Sequence, residues 1–238
     1  MKPSRTLILI PGLVCDAAVW APQAQALADL ARVEVSDPGL IDSLGGMAEA
    51  ILAGAPPRFA LAGHSMGGRV ALEVVRRAPD RVASLALLDT GASPLAPGEA
   101  GEKETAGRWR LAAVARAQGM RAMAADWLKI MLHPARAADR VLVGSIIDMF
   151  ARRTPETYEA QIRALLARPD ARSLLPSIAC PTLVLCGRED LWASPAQHEE
   201  MAARIPACQL VVVPDCGHMS SLEQPAAVTA AMRAWLGG

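Results

Sequence analysis

The sequence predicts an α/β fold, a doubly wound and mostly parallel sheet of about six strands with an inserted helical cap, and three observations carry that prediction. Short, continuous apolar runs recur along the chain, as strands buried on both faces require. Helical patterns separate most of them. The alternation then breaks once, between Thr90 and Cys180, where strand signals vanish and helical spacing takes over. A chain of 238 residues suffices for one large domain with a substantial core and is too short for two of full size. The expected organisation is a core in two parts, residues 1–92 and 179–238, with the cap at residues 93–178 between them.

The first run, "TLILI" from Thr6, stops at Pro11-Gly12, a turn signal. Basic residues precede it, as in a secretory signal, but Asp16 interrupts the apolar stretch, so a strand and turn is the expectation. "VEVS" from Val33, "RFALAG" from Arg58, "SLALLD" from Ser84, "PTLVLCG" from Pro181 and "CQLVVVPD" from Cys208 supply the remaining strands. Helices are expected over "APQAQALADLA", "LGGMAEAILAG", "MGGRVALEVVRRAPD" and "SPAQHEEMAARIP". A last one is expected over "QPAAVTAAMRAWL", where Pro225 suits a first turn that has no use for its missing N–H. In the cap, Met123, Trp127, Ile130 and Met131 share one helical face, as do Leu142, Ile146, Met149 and Phe150, and again Tyr158, Ile162, Leu165 and Leu166. That spacing predicts three helices packed on the sheet domain, preceded by a fourth around Trp109 to Gln118, with "GASPLAPGEAGE" as a linker.

Composition excludes several function classes. Apolar side chains make up 52% of the chain, and 24 basic residues balance 24 acidic ones, so neither nucleic acid nor an anionic membrane is invited. No stretch approaches the roughly 20 apolar residues that span a bilayer. Five cysteines without a CxxC pair make neither a disulfide framework nor a zinc site, and they suit a reducing compartment such as the cytoplasm. Charge is unevenly shared, with 13 basic and 9 acidic residues from Leu95 to Pro176. A solvated surface accounts for that excess; the sharper reading is attraction of an acidic substrate or acyl carrier, with Arg108, Arg110, Arg152 and Arg153 as candidates.

The chemistry is read from "FALAGHSMGGRVALEVV". A serine hydroxyl is a feeble nucleophile unless a base takes its proton, and it must stand clear of its own backbone. In Gly63-His64-Ser65-Met66-Gly67 the chain passes from strand to helix through a strained turn, where glycines leave room for neighbouring elements. Ser65 is therefore the expected nucleophile. Of the four histidines, His64 should point away from Ser65, while His198 and His133 fit surface helix positions. His218, in the loop after the last strand, remains as the base. Asp89, Asp190 and Asp215 each follow a strand at the same sheet edge, and Asp190 is preferred by the order Ser, Asp, His. The oxyanion of the transition state would be met by the N–H groups of Met66, next to the nucleophile, and of Leu13, in the loop after the first strand. Cys15 nearby reads as a small apolar filler.

These segments, with "APDRVASLALLDT", "PTLVLCGREDLWASP" and "VVVPDCGHMSSLEQP", resemble the α/β-hydrolase superfamily over nearly the whole chain, in particular its bacterial carboxylesterases and enol-lactonases. The resemblance implies the roles above for Ser65, Asp190 and His218, donors at Leu13 and Met66, a helical cap, and no metal or organic cofactor. Two departures stand out: the pair of antiparallel strands that often opens the family's sheet is not seen, and Pro11-Gly12 stands where many relatives have His-Gly. The expected activity is hydrolysis of a small or medium carboxylic ester, lactone or thioester through an acyl-serine. Lyase, C–C hydrolase or cofactor-free peroxidase chemistry on the same residues is the alternative, and a hydrolysis-poor ligand receptor is a third.

Overall fold

The computed structural model describes residues 5–237; the residues that open the N-terminal stretch weighed above as a signal, Met1 to Ser4, lie outside them. Six strands form one sheet: β1 (Thr6–Ile10), β2 (Arg32–Val35), β3 (Phe59–His64), β4 (Val82–Leu88), β5 (Thr182–Gly187) and β6 (Cys208–Val213). Their order is β2-β1-β3-β4-β5-β6 and every pairing is parallel. In the register Ile10 lies beside Gly63, and Leu88 beside His64. Central β3 is buried at all six positions, which is why it reads as an unbroken apolar run rather than an alternating one.

Helices α1 (Ala21–Ala26), α2 (Leu44–Gly54), α3 (Met66–Arg77), α8 (Pro195–Arg204), α9 (Ser220–Glu223) and α10 (Pro225–Gly237) flank the sheet. Right-handed crossovers that start left from β1 and then run right from β2 place α1 on one face and α2, α3 and α8 on the other; α10 returns to pack on α1. The connections that leave the neighbouring strands β1 and β3 run to opposite sides, β1 to β2 and β3 to β4. A doubly wound sheet opens its crevice beyond the carboxyl ends of such a pair.

Between β4 and β5 the chain forms α4 (Glu99–Gln118), α5 (Met120–Trp127), α6 (Arg140–Ala151) and α7 (Pro155–Leu166). Helix α4 starts well before Trp109, consuming part of the expected linker, because Gly98 ends the extended stretch and Glu99 and Glu102 suit the positive end of the helix dipole. The helix predicted through Met131 ends at Trp127 and tightens into a 3₁₀ turn, leaving Ile130 47% exposed. The other stripe residues do form a core. Trp127 packs at 5.5 Å on Phe150 and at 6.2 Å on Tyr158, with Met123, Ile146, Met149 and Ile162 buried around them. His198, expected at the surface, is fully buried: its Nε2 accepts the Thr90 N–H at 3.0 Å, and its Nδ1 donates to the Ser194 carbonyl at 3.0 Å.

Candidate active site

Ser65 sits between β3 and α3 with φ 54° and ψ −116°, a conformation that costs a non-glycine residue roughly 1–3 kcal/mol. Its neighbours make the turn possible. A Cβ on Gly63 would lie 2.2 Å from the Gly67 carbonyl oxygen, and one on Gly67 would lie 2.2 Å from that of Ile10. Three hydrogen bonds then fix it: Ser65 N–H to Leu88 O at 2.8 Å, Gly68 N–H to Ser65 O at 3.0 Å, and Thr90 Oγ1 to Ser65 O at 2.7 Å. The hydroxyl ends up partly exposed at the carboxyl edge of the sheet.

His218 is buried, its Nε2 2.8 Å from Ser65 Oγ and its Nδ1 2.8 Å from Asp190 Oδ2. An ionised Asp190 keeps the proton on Nδ1 and leaves Nε2 free to accept from the serine. Burial alone would raise the Asp190 carboxyl; the charge and hydrogen bond of His218, with the N–H groups of Ala193 and Trp192 at 2.9 and 2.8 Å, outweigh it and hold the group below its ordinary range. Asp89 behaves oppositely. Burial, then the nearby charge of Asp190, pushes it well above the carboxylate range; Ser220 Oγ donates to it at 2.5 Å and the Gly187 N–H at 3.2 Å. Asp215 is exposed on the far side of its turn. Of the three aspartates, Asp190 meets His218.

His64 makes no hydrogen bond to Ser65, but it is no bystander. Its Nε2–H donates to the His218 carbonyl at 2.9 Å, the two rings lie 5.6 Å apart, and Trp20 meets it edge-on at 6.3 Å. Burial, then the charge of His218, lowers His64 to about 4, so it is neutral near pH 7. Glu223 is the second residue sequence reasoning missed. Its buried carboxylate accepts N–H bonds from Gly217 at 3.1 Å and Met219 at 3.0 Å, on either side of His218, and from His133 at 2.8 Å. With His218 N–H on the Met131 carbonyl at 2.7 Å, the loop that carries His218 is stitched to the segment after α5. In sequence Glu223 looks like a helix residue; only its count of N–H partners marks it.

Beyond β1 the chain turns at Gly12, whose added Cβ would meet His64 Nδ1 at 2.8 Å and Ser65 Cβ at 3.2 Å. Leu13 follows, and its N–H donates to no protein acceptor among the described residues. The Met66 N–H, at the first position of α3, has no carbonyl one turn back to receive it. Val14 is also left-handed, at φ 52°, and its N–H donates at 2.8 Å to Oε1 of Gln161, a buried residue of α7. The signal for Gln161 was a polar residue on the apolar Tyr158–Ile162 face. Cys15 is buried, which pushes its thiol far up and leaves it inert.

The four candidate arginines are all engaged. Arg108 pairs with Glu104 at 2.8 Å, Arg110 with Asp126 at 2.7 Å, Arg152 with Asp16 at 2.6 Å and Arg153 with Asp37 at 2.9 Å. The excess basic charge is therefore not presented by these side chains as free guanidinium. No group of three metal-ligating side chains occurs among the described residues, nor a helix long and apolar enough to cross a membrane.

Residues 7–231 match the model of the alpha/beta hydrolase family. Among curated proteins, the pimeloyl-[acyl-carrier protein] methyl ester esterase of Nitrosomonas europaea is 26% identical over 92% of this chain and 90% of its own. A solved structure of a thermophilic esterase from Thermogutta terrifontis, with malate bound, superposes with a TM-score of 0.87 at 31% identity, covering 100% of this chain and 91% of that one. The enol-lactonase from Burkholderia xenovorans LB400 superposes at 0.85 with 27% identity, over 98% and 92%.

Proposed function

We propose hydrolysis of a small or medium carboxylic ester by way of an acyl-Ser65 intermediate, from one premise: the chain belongs to the alpha/beta hydrolase family. The supporting observation is the relay from Ser65 Oγ to His218 Nε2 and from His218 Nδ1 to Asp190, both links at 2.8 Å. Ser65 Oγ adds to the ester carbonyl while His218 takes its proton, and Asp190 holds the imidazole in that tautomer. The oxyanion that develops is received by the N–H groups of Leu13 and Met66. Collapse expels the alcohol, which leaves with the proton from His218. Water, deprotonated by the same base, then releases the acid and restores the serine.

Residues 93–178 form the cap in this reading, since the segment after α5 touches the base loop and α7 touches the turn after β1. The relatives' names suggest an acyl-carrier methyl ester or a lactone as substrate types. Five free cysteines favour a cytoplasmic protein. A panel of p-nitrophenyl esters of graded chain length, with fluorophosphonate labelling of wild type and Ser65→Ala, tests the proposal. Turnover with labelling confined to the wild type supports it; equal labelling of both sinks it, and labelling without turnover turns the reading toward lyase chemistry or a receptor.

A further inference from the structure

We propose that Gln161 is a positioning residue that ties the turn after β1, which carries the Leu13 N–H, to α7 and so fixes that donor against the oxyanion, an inference that rests on the acyl-serine reading. The turn is Gly12-Leu13-Val14-Cys15, closed by Cys15 N–H on Gly12 O at 3.1 Å. Because a trans peptide points its C=O and N–H oppositely, that bond also aims the N–H of Leu13, the other end of the same peptide, out of the turn. Leu13 is not left-handed, whereas Val14 has φ 52°. Among hydrogen-bonded turns only type II combines those signs, and its third position asks for Gly or Asn. A buried, β-branched valine there is an outlier that something else must enforce.

Gln161 supplies the force. It is 1% exposed, its Oε1 accepts the Val14 N–H at 2.8 Å, and its Nε2 donates to Gly39 O at 3.1 Å, so the amide is anchored at both ends. Without it, the Leu13–Val14 peptide can flip to a type I turn, in which Val14 relaxes to φ near −90° and ψ of Leu13 swings by about 150°. The Leu13 N–H belongs to the Gly12–Leu13 peptide, which the flip leaves in place; what the flip removes is the turn's tie to α7, so the position of that donor against the oxyanion is no longer fixed. Arg153, on the Cys15 carbonyl at 2.8 Å, grips the turn from outside but does not touch the peptide that would flip.

The test is steady-state kinetics of the full chain with a p-nitrophenyl ester, for Gln161→Met, which keeps the volume, for Val14→Gly, and for the two together. The Kd of an alkyl boronic acid, which forms a tetrahedral adduct on a serine, is measured alongside. Since loss of one oxyanion donor costs about 10²–10³ in kcat, a loosened donor should cost Gln161→Met about 10- to 100-fold in kcat with KM within about twofold, and the boronic acid should weaken in parallel. Val14→Gly should recover part of that loss in the double variant, because glycine takes φ 52° without strain. A kcat within about twofold of wild type, a loss confined to KM or to melting temperature, or a double variant no better than Gln161→Met overturns the inference. Should Gln161→Met fail to fold, Gln161→Glu decides: protonated it can make both bonds, ionised it opposes Gly39 O, so its kcat should fall with rising pH where wild type does not, and a parallel profile overturns the inference. Hydrogen exchange separates the two layers of the argument. If Ser65→Ala kept the wild-type rate, the acyl-serine reading and the oxyanion role would fall together, while a Val14 amide slow to exchange in wild type and fast in Gln161→Met would still establish the clamp.

Discussion

Ser65 and Val14 both carry an unfavourable positive φ, of 54° and 52°, beyond the ends of adjacent strands on either side of Gly12. What holds each is different. Around Ser65 much of the enforcement is local, since Gly63 and Gly67 clear the space and Gly68 in the helix that follows bonds back to Ser65 O, with Leu88 and Thr90 at the end of β4 adding two more bonds. Around Val14 it comes from α7, 147 residues away in the chain, through one side-chain amide. Strain held by sequence neighbours leaves a motif; strain held across the fold leaves only a valine and a glutamine with no visible relation.

Ser65→Ala is the largest break in this comparison. It should lower kcat by about 10⁶ with melting temperature preserved, because the methyl fits the same turn and only the nucleophile is lost. A residual rate within about 10³ of wild type would mean that the strain at Ser65 serves something other than nucleophile display. Next comes the acid. Asp190→Asn should cost about 10⁴ in kcat by letting His218 take the wrong tautomer. Asp89→Asn should cost far less, since burial holds the Asp89 carboxyl well above the carboxylate range and His218 makes its bond to Asp190. A larger kcat loss from Asp89→Asn at equal stability would reverse the two assignments.

Gly67→Ala sharpens the local half of the comparison. Its Cβ would strike backbone, Ile10 O at 2.2 Å, so neither side can yield, and a loss of about 3 kcal/mol or more is expected from chemical denaturation. Gly12→Ala meets only side-chain atoms, the nearest at 2.8 Å, and should cost visibly less; equal losses would show that the two turns are built with the same rigidity.

The smallest effect is a pH dependence at the seam between the turns, where His64 sits against Gly12 and donates to His218 O. His64 titrates at about 4 in the fold against an ordinary value near 6.5, so the unfolded chain takes up its proton first. Stability is full above pH 6.5 and declines as pH falls toward 4, by at most about 3 kcal/mol. Thermal melts between pH 7 and 4.5 should show a shallower decline in His64→Gln; the same slope in both would assign the acid sensitivity elsewhere.

The residues legible in the sequence are those whose chemistry is announced next door. Gly63, Ser65 and Gly67 declare a strand-to-helix turn, the apolar runs declare buried parallel strands, and elimination among four histidines isolates His218. His198 was misplaced because "SPAQHEEMAARI" reads as polar, while its burial depends on the loop after β4 closing over it. Arg110, Arg152 and Arg153 looked like free charge for the same reason: Asp126, Asp16 and Asp37 become their partners only when α4, α5, the end of α6 and the loops beyond β1 and β2 are brought together, whereas Glu104, one turn from Arg108 on α4, was a local partner that the helical spacing offered.

By itself the sequence determined the strand order in time, the helical segment between β4 and β5, the strand-to-helix turn at Ser65 and a short choice of histidines and aspartates to meet it, because periodicity and glycine placement act over a few residues. The tertiary structure decided which aspartate meets His218, that His64 and Glu223 carry the backbone of the base loop, and that Gln161 reaches the turn after β1. Those are contacts between residues 28 to 154 apart, and their energies depend on distance and burial, which no local pattern encodes.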